Sequence, residues 1–318
     1  MANLKEIRNR ITSVKNTRKI TTAMSRIAAA RLVKAQQAVL GARPYGERLD
    51  ELVGSLVASL GGSESGESSH PLLEERAAIR RVAYVHITAD RGLAGGFNNN
   101  LNRLVLNQIR KDREEGAEVV LITVGKKGRA FMQHAGVRIA RHHDAPTHGD
   151  LVAKAKAVAS EVMAMFTGDF SELTGGTTGE HGAGQEEAAA PPLPAVDRVY
   201  FTYNFFKNVL TQQPKVEQLL PFAPREVVAD ERLLPVLEPG RDALLAHLLP
   251  IAIESRLQQA FFNSIAGEIA ARRTAMDAAS DNATQLIREL TLFYNRERQA
   301  AITKELMEII GGAEALKG

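Results

Sequence analysis

Residues 251–310 read IAIESRLQQAFFNSIAGEIAARRTAMDAASDNATQLIRELTLFYNRERQAAITKELMEII, a stretch without a proline. Its apolar residues keep the helical period almost to the end of the chain. A single helix of that length spans about 90 Å. Small residues crowd its middle (Ala266, Gly267, Ala270, Ala271, Ala275, Ala278, Ala279, Ser280, Ala283), so a second helix can approach closely. Pro250, near its start, predicts a kink or a restart. The opposite terminus has the same character. Leu4, Ile7, Ile11, Val14, Ile20, Met24, Ile27, Leu32, Ala35 and Val39 recur at spacings of three and four, and no proline intervenes before Pro44. Propensity alone does not hold so long a helix, which needs a partner strand. Its narrow stripe and charged opposite face suit a coiled coil. The expected architecture is therefore α/β: a long antiparallel coiled coil of N- and C-terminal helices with an inserted Rossmann-like α/β lobe.

Between the helices the period changes. Arg81–Thr88, Glu118–Val124 and Val196–Tyr203 read as strands, with Val137–Ile139 a candidate third in chain order and Val216–Phe222 a candidate last. Asn98–Arg113, Lys127–His134 and Asp150–Phe166 read as helices. Strands alternating with helices predict a parallel, doubly wound sheet. The expected organisation is an N-terminal coiled-coil helix over 1–60, a linker over 61–78, the lobe over 79–225 and a C-terminal coiled-coil helix over 226–318. Gly61–Ser69 is a linker by composition. Residues 168–190 hold six glycines and five acids with no Lys or Arg. The surrounding 168–195 reads as a disordered insertion in the lobe.

The 318 residues are 44% apolar and 24% charged, which fits a globular chain. The sequence has no apolar run long enough to span a bilayer. The opening Met1–Ile7 lacks the apolar core of a secretory signal. Cysteine is absent, which excludes disulfides, thiolate metal sites and cysteine nucleophiles. Tryptophan is absent and aromatics are 5%, little for stacking on single-stranded nucleic acid. The net charge of +3 conceals an asymmetry: residues 1–46 carry ten Lys/Arg against Glu6 alone. So basic a block fits an acidic partner, whether nucleic acid, an anionic membrane surface or acidic protein loops, or else a solvated helix face.

Candidate chemistry is sparse. The turn Asp90-Arg91-Gly92-Leu93-Ala94-Gly95-Gly96 invites a nucleotide-binding reading, but its glycines miss the dinucleotide spacing, and Gly125-Lys126-Lys127-Gly128 misses that of a P-loop. His142, His143, Asp144, His148 and Asp150 cluster without an ordered metal-ligand spacing, and Asp150 fits better as a helix cap. No catalytic residue, metal site or cofactor site is expected. Two rival readings stay open on the residues alone: a nucleic-acid-binding coiled coil and a nucleotide-dependent α/β enzyme. At the C-terminal end, Arg288, Arg296, Arg298, Gln299, Thr303 and Lys304 precede the apolar Leu306–Ile310. An exposed apolar helix end needs a receptor surface.

Three separated stretches carry a family resemblance. Ile302-Thr303-Lys304-Glu305-Leu306-Met307-Glu308-Ile309-Ile310-Gly311-Gly312-Ala313-Glu314-Ala315 resembles the C-terminal signature of the gamma subunit of F-type ATP synthase. Ala275–Ala283 and Leu286–Arg296 resemble the same family upstream. Leu4–Ile11 through Lys19–Met24 resembles its opening helix. Thr88–Asn98 resembles its glycine-rich turn, with Ala94 where a cysteine often stands. With no cysteine pair, the thiol switch of the chloroplast form is missing.

The resemblance implies a non-catalytic central-stalk rotor subunit of a proton-translocating synthase, its coiled coil standing inside a ring of alpha and beta subunits. Its lobe would join the epsilon subunit and the membrane c-ring. Rotation driven by protons would move each beta subunit through its states, with ATP made there and not on this chain. The implied location is peripheral, on the cytoplasmic face of the bacterial plasma membrane, with no insertion into the bilayer and no nucleic acid bound. The implied partner contacts are Met24 near an acidic beta-subunit loop, Arg298, Gln299 and Thr303 in a catch on the beta subunit, and Arg272 as a basic residue of that contact region. Coiled-coil packing is the alternative for Met24, and a solvated face the alternative for Arg298.

Overall fold

A computed structural model describes residues 4–60, 70–147, 149–170, 193–223 and 240–315. Most of the linker and of the acidic insertion, and the start of the expected C-terminal segment, lie outside the described residues, as does His148. The elements in chain order are α1 (Leu4–Leu60), a 3-10 turn (Pro71–Leu73), β1 (Arg81–Ile87), α2 (Phe97–Glu114), β2 (Glu118–Val124), α3 (Lys126–His134), β3 (Ile139–His143), α4 (Leu151–Thr167), β4 (Arg198–Phe206), β5 (Gln212–Leu220) and α5 (Arg241–Ala315).

Both long helices pass through their prolines, Pro44 and Pro250. The restart considered at Pro250 does not occur, and the helix continues through it. Tertiary packing explains this. Leu245 and Leu249 before the proline, and Ile253 and Leu257 after it, are all fully buried in one core, so both sides are held whatever hydrogen bond is lost. α5 also continues past Gly311-Gly312 to Ala315.

The chain divides into two compact units, residues 32–271 and residues 1–31 with 272–318. The larger holds a five-stranded sheet in the order β3-β2-β1-β4-β5. The first four strands are parallel, and β5 runs antiparallel to β4. The expected parallel sheet holds for β1 to β4, and β5 departs from it because the short connection Lys207–Thr211 leaves no room for a crossover. The third strand also lies later than expected, at Ile139–His143. Central strands read as unbroken apolar runs because both faces are covered. One face packs against α4, the Leu49–Leu56 part of α1 and the Leu245–Phe261 part of α5. The other packs against α2 and α3 through Leu101, Val105, Ile109 and Met132. α4 closes at Gly168, whose φ of +78° is the left-handed cap that glycine adopts without strain.

In the smaller unit, α1 and α5 run antiparallel. Thr21 meets Ser280 at 2.6 Å, and Ser25 donates to Asp277 at 2.5 Å, so the partner number falls as the α1 number rises. The buried positions of α1 here include Ile7, Thr21, Ser25 and Ala28. Ile20 and Ile27, assigned to the inward stripe by spacing, are instead 60% and 54% exposed. Hydroxyls thus occupy the seam where isoleucines were expected. Two of them find polar partners across it, which satisfies groups that burial would otherwise penalise.

Candidate functional site

The glycine-rich turn follows β1 at the end of the sheet where strand order reverses, which in open α/β folds is the usual ligand crevice. Three of the motif's polar side chains, Thr88, Asp90 and Asn98, are committed to the protein's own backbone. Thr88 Oγ1 accepts from the Gly128 N–H at 2.9 Å. Asp90 Oδ1 accepts from Lys126 N–H at 2.9 Å and Ala145 N–H at 3.2 Å. Asn98 Oδ1 accepts from Ala89 N–H at 3.0 Å. The motif thereby ties three loops together. A Cβ at Gly128 would stand 2.8 Å from both His86 Cδ2 and Thr88 Oγ1, so the loop closes tightly on β1.

Beneath it lies a buried polar layer. His86 Nε2 is 2.8 Å from Asn102 Oδ1, and Nδ1 is 2.9 Å from Thr202 Oγ1. With the amide oxygen as acceptor, Nε2 carries the proton and Nδ1 accepts, a complete set for neutral imidazole. Burial pushes the His86 pKa down to about 4. Tyr84 donates to Asp112, and burial together with that bond pushes its phenol up. At the sheet margin, burial tends to raise the Asp197 carboxyl. The Arg76 guanidinium at 2.8 Å and the N–H groups of Arg81 and Arg80 outweigh it and lower the pKa.

Among the described residues, the members of the histidine cluster do not converge. His143 pairs with Glu161 at 2.9 Å, His142 lies 3.7 Å from Asp144, and Asp150 pairs with Lys154 at 2.9 Å. Asp150 occupies the N-cap position of α4, yet its carboxylate makes no capping bond. It accepts from Thr147 N–H and Oγ1 instead, at 2.6 and 2.7 Å. The Lys154 ion pair and the Thr147 hydroxyl hold its pKa down at about 2.

The five partner-contact residues named from sequence, Met24, Arg272, Arg298, Gln299 and Thr303, all fall in the smaller unit. They do not form one cluster. Met24 is half-buried beside the Thr21–Ser25 seam, and Arg272 is half-buried little more than one turn of α5 before Asp277. Arg298, Gln299 and Thr303 are exposed and lie ~27 Å beyond Ser280 along α5, at 1.5 Å per residue. Thr303 Oγ1 donates to the Gln299 carbonyl at 2.9 Å. Beyond and around them Leu292, Ile302, Leu306, Met307, Ile309 and Ile310 are each at least half exposed. A groove of about 930 Å³ follows the seam, lined by Arg18, Lys19, Thr22, Arg26, Asp277 and Asp281 among others. Sequence reading missed the seam. Its only local signal was the hydroxyl run Thr21-Thr22 and Ser25 inside a helical stripe.

The long helices α1 and α5 take part in both units, pairing antiparallel in the smaller and covering one face of the α/β sheet in the larger. The sequence model of the family described as ATP synthase matches residues 3–316. Curated relatives named ATP synthase gamma chain match along their full length. That of Pelotomaculum thermopropionicum is 42% identical over 100% of both chains, and that of Geobacter metallireducens is 41% identical over the same share. The chain belongs to the ATP synthase gamma chain family. Solved structures agree in fold. A chain in the Euglena gracilis mitochondrial ATP synthase (OSCP/F1/c-ring, rotational state 3) superposes with a TM-score of 0.59 at 18% identity, covering 98% of this chain and 94% of that one. A chain of the Tetrahymena thermophila central stalk/c-ring structure gives 0.53 at 21% identity, covering 82% and 99%.

Proposed function

We propose that this chain is the central rotor shaft of a proton-translocating ATP synthase and itself carries no catalytic residue. The observation that carries the reading is the end of α5: apolar side chains from Leu292 to Ile310 stand in solvent beside the polar group Arg298, Gln299 and Thr303. A surface of that kind requires a receptor. A ring of alpha and beta subunits closing round it supplies one. Met24 and Arg272 meet the ring at one level and Arg298, Gln299 and Thr303 at another, so the shaft touches its bearing at two heights. The exposed cations of α1, among them Arg8, Arg10, Lys15, Lys19 and Arg26, face acidic loops of that ring. Torque then works through differential contact, each face of the shaft favouring a different state of the beta subunit it meets. The lobe carries the epsilon subunit and the c-ring, which places the chain peripherally on the cytoplasmic face of the bacterial plasma membrane. No helix among the described residues is long and apolar enough to cross a membrane.

The test is co-expression with alpha and beta subunits, followed by ATP hydrolysis with and without residues 296–318. The expected result is a complex with one copy of this chain per ring and a changed ATPase on truncation. A chain that purifies alone, or a complex indifferent to the truncation, refutes the shaft.

A further inference from the structure

In the unit formed by residues 32–271, α1 and α5 both sit on the sheet through apolar side chains, Leu49, Val53 and Leu56 from one and Leu249, Ile253 and Leu257 from the other. Apolar contact holds surfaces together but is non-directional. Within this cluster lies one buried ion pair. Arg256 Nε donates to Asp50 Oδ1 at 3.0 Å, and Arg256 Nη2 donates to the Ala223 carbonyl at 3.0 Å. The guanidinium carbon lies 3.8 Å from the centroid of the Phe222 ring. Arg256 is 7% exposed and Asp50 4%. A single planar group carried by α5 therefore meets two further segments, α1 and the stretch leaving β5.

Beside it the two helices come close. A Cβ at Gly46, one turn before Asp50, would fall 1.4 Å from Gln259 Nε2 and 3.2 Å from Ser255 Oγ, so glycine makes room for α5 at this level. A buried ion pair adds little net stability, because desolvating two charges offsets their attraction, and its best-attested use is to fix registry. Here the geometry suits that use. Sliding α5 by one residue moves Arg256 about 1.5 Å, enough to take 3.0 Å bonds out of hydrogen-bonding range.

We propose that Arg256, held between Asp50, Ala223 and Phe222, is the joint that makes the two helices and the lobe turn as one body. This rests on the rotor reading above. Arg256 is a positioning residue: it touches no substrate and acts by preventing slip under torque.

The experiment uses the complete complex, with its ring, epsilon and c subunits, reconstituted in lipid vesicles. ATP hydrolysis and ATP-driven proton uptake are measured on the same preparation. The main variant is the double substitution Asp50→Leu with Arg256→Met, which exchanges the pair for apolar packing. Arg256→Lys is the second variant, keeping the charge but losing the planar two-way contact. The double variant is expected to hydrolyse ATP at close to the parent rate while proton uptake per ATP falls several-fold. Arg256→Lys is expected to fall between the two. If both variants pump in the parent proportion, the joint is refuted. If hydrolysis and pumping fall together at a constant ratio, the pair is merely structural and the proposal is again refuted. Failure of the parent chain itself to assemble a pumping complex would instead overturn the rotor reading, which separates the two failures.

Discussion

At Gly125 the backbone adopts φ +99° and ψ 140°, and a Cβ there would lie 2.2 Å from the Thr88 carbonyl oxygen. Both the dihedral and the space exclude a side chain. Gly125→Ala should destabilise the lobe by on the order of 3 kcal/mol in urea denaturation. Gly46→Ala should cost less despite a nearer neighbour, because the atom it meets is the end of a flexible glutamine. Equal losses at the two sites would contradict this account. His86 offers a second check. Its folded pKa of about 4 lies below the ordinary 6.5, so the unfolded chain binds the extra proton first. Its contribution is therefore complete above about pH 6.5 and is lost as pH falls through that value towards 4. The loss should approach about 3 kcal/mol between neutrality and about pH 4, measured as a shift in denaturation midpoint. His86→Gln should flatten that slope, and a variant that keeps it would assign the slope to other groups.

At the scale of elements, the seam of the smaller unit is polar where α1 and α5 meet through Thr21, Ser25, Asp277 and Ser280. Thr21→Val alone should cost about 1 kcal/mol, because Ser280 loses its 2.6 Å partner and keeps only the longer bond from Thr22 Oγ1 at 3.3 Å. Thr21→Val with Ser280→Ala should cost little more than the first change, since removing both partners leaves nothing unsatisfied. A double-mutant cycle in urea measures the coupling, and strictly additive losses would show that the contact carries none. The elements were also the most legible scale. Strand–helix alternation in the lobe followed from period alone, because burial imposes a local pattern of two or of three to four. The direction of β5 did not, since Val216–Phe222 reads alike parallel or antiparallel. Its short link to β4 was the sequence signal that decides it, and only the pairing of Tyr203 with Lys215 displays it.

For the whole molecule, the charge of α1 makes a prediction about assembly. Replacing Lys15, Lys19 and Arg26, all exposed, with Gln should slow association with the alpha–beta ring by about tenfold at low salt. The difference should shrink as ionic strength rises, because exposed charges are screened within about 10 Å at 0.1 M. Stopped-flow assembly at two salt concentrations checks this. A rate that salt leaves unaltered would make the basic face a solvated surface and nothing more.

The sequence by itself determined the two long helices, the composition of the lobe and, through three separated motifs, the family. Those properties reside in local periodicity and in short runs of residue types. It also named five candidate contact residues, though not that Met24 on α1 and Arg272 on α5 lie near the Thr21–Ser25 seam while Arg298, Gln299 and Thr303 lie farther along α5. Only the tertiary structure decided which residues of the α1 stripe turn inward. Spacing selects a face only within the width of one helical turn. Ile20 and Thr21 are adjacent in sequence, and the partner helix, with Ser280 waiting, chose the threonine. The same holds for Asp50 and Arg256. Nothing local to either residue foretells the other, and burial turns two ordinary charged positions into one fixed contact.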